Sequence, residues 1–193
     1  MSSTPVARAW TLDQYLDWEE RQPVKHELID GQPRMMVGSR IAHQKIETNI
    51  VAALHPRLRG SGCRVFGDAT KLKAPNGNVY YPDAMVACGA RGDQDRWIED
   101  PVVLVEVISP GSEADDRGHK LLAYQVISSL PAYLIVAQAE RRVDVYRRDD
   151  EGRWRHEIVT SGSINLPVGT VAVSLDEIYE DVAAVPPSAA AGA

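Results

Sequence analysis

The apolar positions change period along the chain, from helical spacing near the start to almost continuous runs in the middle. Leu12, Tyr15 and Leu16 recur at helical spacing behind Thr11, whose T-L-D-Q context has the spacing of a capping box. A helix from Leu12 to about Arg21 is expected. His26 to Val37 (HELIDGQPRMMV) alternates around Asp30-Gly31, the pattern of a tight hairpin. Ile46, Ile50, Ala53 and Leu54 share one helical face between Ile41 and Leu58, and Gly60 and Gly62 stop the chain after them.

Strand-like runs follow at Arg64–Gly67, Asn78–Val86 and Val102–Ile108. The last, VVLVEVI, is apolar at nearly every position, as a strand covered on both faces must be. Pro110-Gly111 ends it, and Ser112 is placed to cap a helix reaching about Ser129, with Asp115 and Asp116 in its first turn. Pro131 breaks that helix before a buried strand at Ala132–Ala137. Arg142–Arg148 alternates like an edge strand, Trp154–Val159 returns after a turn at Asp149 to Gly152, and Leu175–Val182 suits a last short helix. The order is helix, three strands, helix, strand, with strands added at both ends. This is a mixed α/β (α+β) architecture with a mixed sheet. A single domain over 8–182 is expected, followed by a disordered tail at 183–193 (AAVPPSAAAGA from Ala183).

Composition narrows the classes. The 193 residues suffice for one core, and no apolar run approaches the ~18 residues of a membrane span. No secretory signal is visible, and Cys63 and Cys88 lack metal-ligand spacing. They are therefore read as small core residues in a reducing compartment, neither disulfide-bonded nor zinc-bound, and a cytoplasmic location is expected. The net charge of −6 disfavours a protein that merely coats nucleic acid. Its distribution is uneven. Val51 to Tyr81 holds five bases (Arg57, Arg59, Arg64, Lys71, Lys73) against Asp68, whereas Pro82 to Gly118 holds nine acids against three bases. That suits either a metal site beside an anionic substrate or an ordinary mixed-charge surface.

Glu106 is the informative residue, because a carboxylate inside VVLVEVI needs a partner, a metal ion or a shifted pKa. Asp83 closes VYYPD on or beside another strand. Two such carboxylates side by side make a hard oxygen site for Mg²⁺, with a turn residue and a structural salt bridge as the plainer alternatives. Lys120 shares a helical face with Asp116 and Tyr124, placing a cation near the end of the sheet, or simply a surface lysine paired with Asp116.

Pro82-Asp83 and Glu106-Val107, in this element order, resemble the PD-(D/E)XK nuclease superfamily. HELIDGQ, YPDAMV, PVVLVEVISPGS, Lys120 with Tyr124, and LPAYLIV resemble more closely the Uma family of restriction-endonuclease-like proteins, over about residues 11–180. The resemblance implies a restriction-endonuclease-like core and metal-dependent hydrolysis of DNA phosphodiesters. It implies metal ligation by Asp83, Glu106 and the Val107 carbonyl, with Mg²⁺ or Mn²⁺ as cofactor. The superfamily's lysine position is Ile108 here, and Lys120 on the following helix takes its place. Glu27 and His43 are further candidates, to support a second metal or a water, or to serve in a hairpin and at a helix start. Arg57, Arg59, Lys71, Lys73, Arg141 and Arg142 are candidates for phosphate contacts, and a homodimer is plausible for a nuclease of this architecture. Two other functions stay open: an inactive nuclease fold that binds nucleic acid or a protein, and an enzyme acting on another phosphorylated substrate.

Overall fold

The computed structural model describes residues 9–108 and 116–183. Its centre is a six-stranded sheet in the order β10-β9-β8-β7-β6-β3. Those strands are β3 (Cys63–Gly67), β6 (Ala84–Cys88), β7 (Pro101–Ile108), β8 (Ala132–Ala137), β9 (Val143–Arg148) and β10 (Trp154–Val159). β7 and β8 run parallel and the other neighbours antiparallel. A parallel pair needs a crossover, and here it carries a π-helical turn (Asp116–Lys120) and the short helix α3 (Leu121–Gln125). Together with the long helix α2 (Ile41–Arg57) before β3, this reproduces the expected order of helix, three strands, helix and strand.

Alternation along β7 explains the two layers. Val103, Val105 and Val107 face a core built with Ile46, Ile50 and Leu54 of α2 and with Val173, Leu175 and Ile178 near the chain's end. Leu104 and Ile108 face the opposite core, with Tyr124 of α3, Ile127, Tyr133 and Ile135. Glu106 shares the second parity, so its carboxylate enters that layer. The second layer is closed by a four-stranded sheet, β2-β1-β5-β4, formed by β1 (His26–Ile29), β2 (Gln32–Met35), β4 (Leu72–Lys73) and β5 (Val79–Tyr80). Helix α1 (Leu12–Glu19) begins with the expected capping box at Thr11. The β1–β2 turn places Asp30 and Gly31 at φ 50° and 72°, the left-handed pair that Asp-Gly favours. A Cβ on Gly31 would also lie 2.6 Å from Ala9 Cβ.

Several expectations are corrected. The run Asn78–Val86 is not one strand: β5 and β6 lie in different sheets, separated by Tyr81-Pro82-Asp83, because proline cannot donate to a ladder. The helix expected to reach Ser129 ends at Gln125, and its start at Ser112 lies outside the described residues, as does 184–193 of the expected tail. The last helix is only α4 (Leu175–Ile178), preceded by an unforeseen hairpin of β11 (Ser163–Asn165) and β12 (Ala172–Ser174). Most directly, Cys63 and Cys88 form a disulfide. The antiparallel register sets these residues opposite each other at the ends of β3 and β6, a proximity that their 25-residue separation hides. The thiol-based ground for a reducing compartment goes with it.

Near the C-terminus, Glu177 reaches Arg57 and closes a capping box with Ser174. The Ser174 backbone N–H, then Arg57, holds the Glu177 carboxyl down at about 2. A depressed carboxyl stabilises the fold fully above its unfolded value of 4.5, and the contribution is lost as pH falls towards 2. Melting temperatures recorded across that window should therefore fall less steeply for Glu177→Gln than for the wild type. Equal slopes would mean that the link adds nothing to acid stability.

Candidate active site

β6 and β7 deliver two carboxylates to one end of the ladder. Their pairing stops at Ala84↔Val105, one step short of Asp83 and Glu106. Freed from the ladder, Asp83 turns its side chain back: Oδ2 accepts the Val107 N–H at 2.6 Å, and Oδ1 lies 2.8 Å from His43 Nε2. His43 comes from the first turn of α2. Glu47, four residues further on, falls on the same helical face. Ligand atoms of His43, Glu47 and Asp83 all lie within 4.8 Å of one another.

Glu106 occupies a neighbouring arrangement. It is 3% exposed, and its two oxygens take different partners. Tyr124 donates its hydroxyl to Oε1 at 2.8 Å, and Lys120 Nζ approaches Oε2 at 3.1 Å. Lys120 also lies 3.4 Å from Glu27 Oε1, an oxygen that accepts the Tyr81 N–H at 3.2 Å. The ammonium therefore sits between carboxylates from two different sheets. Burial and the neighbouring Glu106 push the Tyr124 hydroxyl well above its ordinary value, so it remains a donor. The Glu47 carboxyl is pushed up to about 7, first by burial and then by Asp68 and Asp83.

Asp83, Glu106, Lys120, Glu27 and His43, distant in sequence, thus line one cleft of about 790 Å³. The Val107 N–H, rather than its carbonyl, is the group seen against Asp83. Sequence reasoning missed Glu47, whose signal was a lone acid on a helical face otherwise holding Ile46, Ile50 and Leu54. It also missed Gln138, a buried cleft residue whose Oε1 has no hydrogen-bond partner among the described residues.

The basic residues expected on phosphate are placed elsewhere. Lys71 pairs with Glu19, Lys73 with Glu99, Arg57 with Glu177, Arg141 with Asp176, and Arg142 with Asp144. Arg57 ends α2, roughly 20 Å from His43 at 1.5 Å per helical residue, and Arg59 follows it in the next turn.

A family model, Uma2, described as "putative restriction endonuclease", matches residues 12–176. The chain belongs to the Uma2 family. This Uma2 chain is 33% identical over 174 residues to the uncharacterized protein slr1290 of Synechocystis sp., covering 89% of the chain and 92% of that protein. A second Synechocystis relative, the uncharacterized protein sll1609, is 26% identical over 158 residues, covering 80% and 89%. The fold is similar to that of a crystallised protein of Anabaena variabilis named as "a putative nuclease belonging to DUF820". The TM-score is 0.71, with 88% of this chain and 97% of that one covered at 16% identity. The fold is therefore restriction-endonuclease-like, and the Uma2 membership agrees with the resemblance read from the motifs. No helix among the described residues is long and apolar enough to cross a membrane.

Proposed function

We propose that this Uma2 protein is a divalent-metal-dependent nuclease that hydrolyses DNA phosphodiesters in the Asp83–Glu106–Lys120 cleft. The observation that carries the reading is the convergence of Asp83, Glu106, the half-buried Lys120 and His43 in one cleft of this fold, with Glu47 close behind His43 and Asp83.

The donor chemistry suits a metal. Asp83, His43 and Glu47 offer two carboxylate oxygens and one imidazole nitrogen close together. Carboxylates fit Mg²⁺ and Mn²⁺ alike, whereas an imidazole favours Mn²⁺. Glu106, beside Asp83 at the ladder's end, is the further candidate ligand. When bound, such an ion supplies positive charge against a phosphoryl oxygen and makes water more acidic.

The chain's own groups do the rest. Lys120 presents a half-buried ammonium where negative charge grows on the phosphoryl oxygens as water attacks phosphorus and the bond to the leaving oxygen breaks. Glu106 and Glu27 hold that ammonium from two sides, and Tyr124 locks the Glu106 rotamer by occupying its other oxygen. The Val107 N–H orients Asp83 towards His43.

Calorimetric titration of Mg²⁺ and Mn²⁺, paired with plasmid nicking, tests the proposal. Wild type is expected to bind metal and nick DNA, and Asp83→Ala/Glu106→Ala to do neither. Identical behaviour of the two proteins would make the carboxylates structural and the fold a binding module. Metal binding by wild type without nicking of DNA or RNA would remove the nuclease assignment.

A further inference from the structure

The cleft's mouth is built by the segment that leads from β2 into α2, and its composition is unusual for a solvated rim. The described residues include seven large hydrophobic side chains that are exposed; Met35 (62% exposed), Val37 (83%) and Ile41 (79%) belong to this segment, and Val24, ahead of β1, lines the same cleft. Val24, Met35 and Val37 line the cleft directly. The other three, Leu122, Val126 and Ile158, belong to other parts of the surface.

Two cations flank these apolar side chains. Arg34 stands opposite Glu27 in the β1–β2 register, so it projects on the same face of the small sheet as that cleft carboxylate. Arg40 immediately precedes α2, three residues before His43. Both line the cleft, both are exposed, and neither has a carboxylate partner among the described residues. That separates them from Arg57, Lys71, Lys73, Arg141 and Arg142, whose charges are already paired within the fold.

An apolar wedge between two arginines with no carboxylate partner among the described residues matches the chemistry of a minor-groove contact. Arginine is attracted by the groove's negative potential, and aliphatic side chains enter between base steps and partly unstack them. A twofold-related copy of this face would instead bring the same arginines towards each other. Resting on the nuclease reading above, we propose that residues 34–41 form the rim that receives duplex DNA. Arg34 and Arg40 contact phosphates or the groove floor, and Met35 and Val37 press against a base step. The scissile phosphate is thereby led past His43 towards Asp83.

The test separates binding from cleavage. Wild type, Arg34→Ala/Arg40→Ala and Met35→Ala/Val37→Ala are compared by fluorescence anisotropy on a duplex containing 2-aminopurine, with Ca²⁺ in place of Mg²⁺ to limit hydrolysis. All four side chains are at least half-exposed or on the rim, and circular dichroism checks that the variants fold. The arginine variant should bind more weakly on every sequence, with a salt dependence shallower by about two in log–log slope. The aliphatic variant should keep that slope and lose the rise in 2-aminopurine emission that accompanies unstacking. Wild-type affinity, slope and emission in both variants would overturn the inference while leaving the nuclease reading intact. Tighter binding of single strands than of duplex would overturn it too. So would a change in oligomer mass, measured by light scattering without DNA, in a variant that binds DNA normally, since the patch would then be a self-interface. If wild type binds no nucleic acid at all, the nuclease reading fails and this inference with it.

Discussion

Lys120→Met is expected to slow phosphodiester cleavage by roughly 10²–10³-fold, the usual effect of deleting one preorganised group that stabilises developing negative charge. The same substitution should destabilise the metal-free fold. Glu106 is buried and Glu27 nearly so, and both face the Lys120 ammonium at 3.1 and 3.4 Å. Breaking a buried pair by removing one partner costs about 3–5 kcal/mol, because the remaining charge is left unpaired. Denaturant midpoints should show that loss, and adding Glu106→Gln to Lys120→Met should recover part of it, since the stranded charge disappears. Rate must not return in the double variant. Lys120→Arg keeps the charge but changes its shape, so stability should survive better than rate. A Lys120→Met protein that cleaves at the wild-type rate would remove Lys120 from the mechanism. Loss of stability alone would make it a structural cation.

Glu47→Gln should have the opposite sign in the absence of metal. The Glu47 carboxyl titrates near 7 in the folded protein, raised first by burial and then by Asp68 and Asp83, against 4.5 when unperturbed. A raised carboxyl pKa means that the folded state holds its proton more tightly than the unfolded state. Stability is therefore full below pH 4.5 and declines as pH rises through 7, by up to about 3 kcal/mol. The neutral amide avoids that cost. Metal-free Glu47→Gln should melt above wild type at pH 8 and level with it at pH 4.5. Mn²⁺ should then raise the melting temperature of wild type at pH 8 more than that of the variant. If both proteins follow the same pH curve without metal, Glu47 is ionised at no cost and the cleft is wetter than its burial indicates.

Legibility differed from element to element. The capping box at Thr11, the Asp30-Gly31 turn and the buried runs of β7 and β8 depend on neighbours a few residues apart, so the chain states them locally. The break at Tyr81-Pro82-Asp83 was harder. Strand-forming residues stand on both sides of it, and only the packing of two sheets decides that β5 leaves the layer β6 enters. Glu47 was overlooked because an acid on a mostly apolar helix reads as a surface residue until a neighbouring strand buries it. The phosphate-contact expectations for Arg57, Lys71 and Lys73 rested on local charge excess, which takes no account of Glu177, Glu19 and Glu99 arriving from elsewhere.

By itself, the order of residues determined the succession of helix, three strands, helix and strand, and it marked Glu106 as a carboxylate in a place meant to be dry. Those follow from periodicity and from the cost of desolvating a charge, which are properties of short stretches. Only the tertiary structure decided that Asp83 turns to His43 and Glu47 while Glu106 turns to Lys120 and Tyr124, and that Cys63 meets Cys88. Each of these pairings joins segments from separate elements. Their distances are set by strand register and layer packing, which no local pattern encodes.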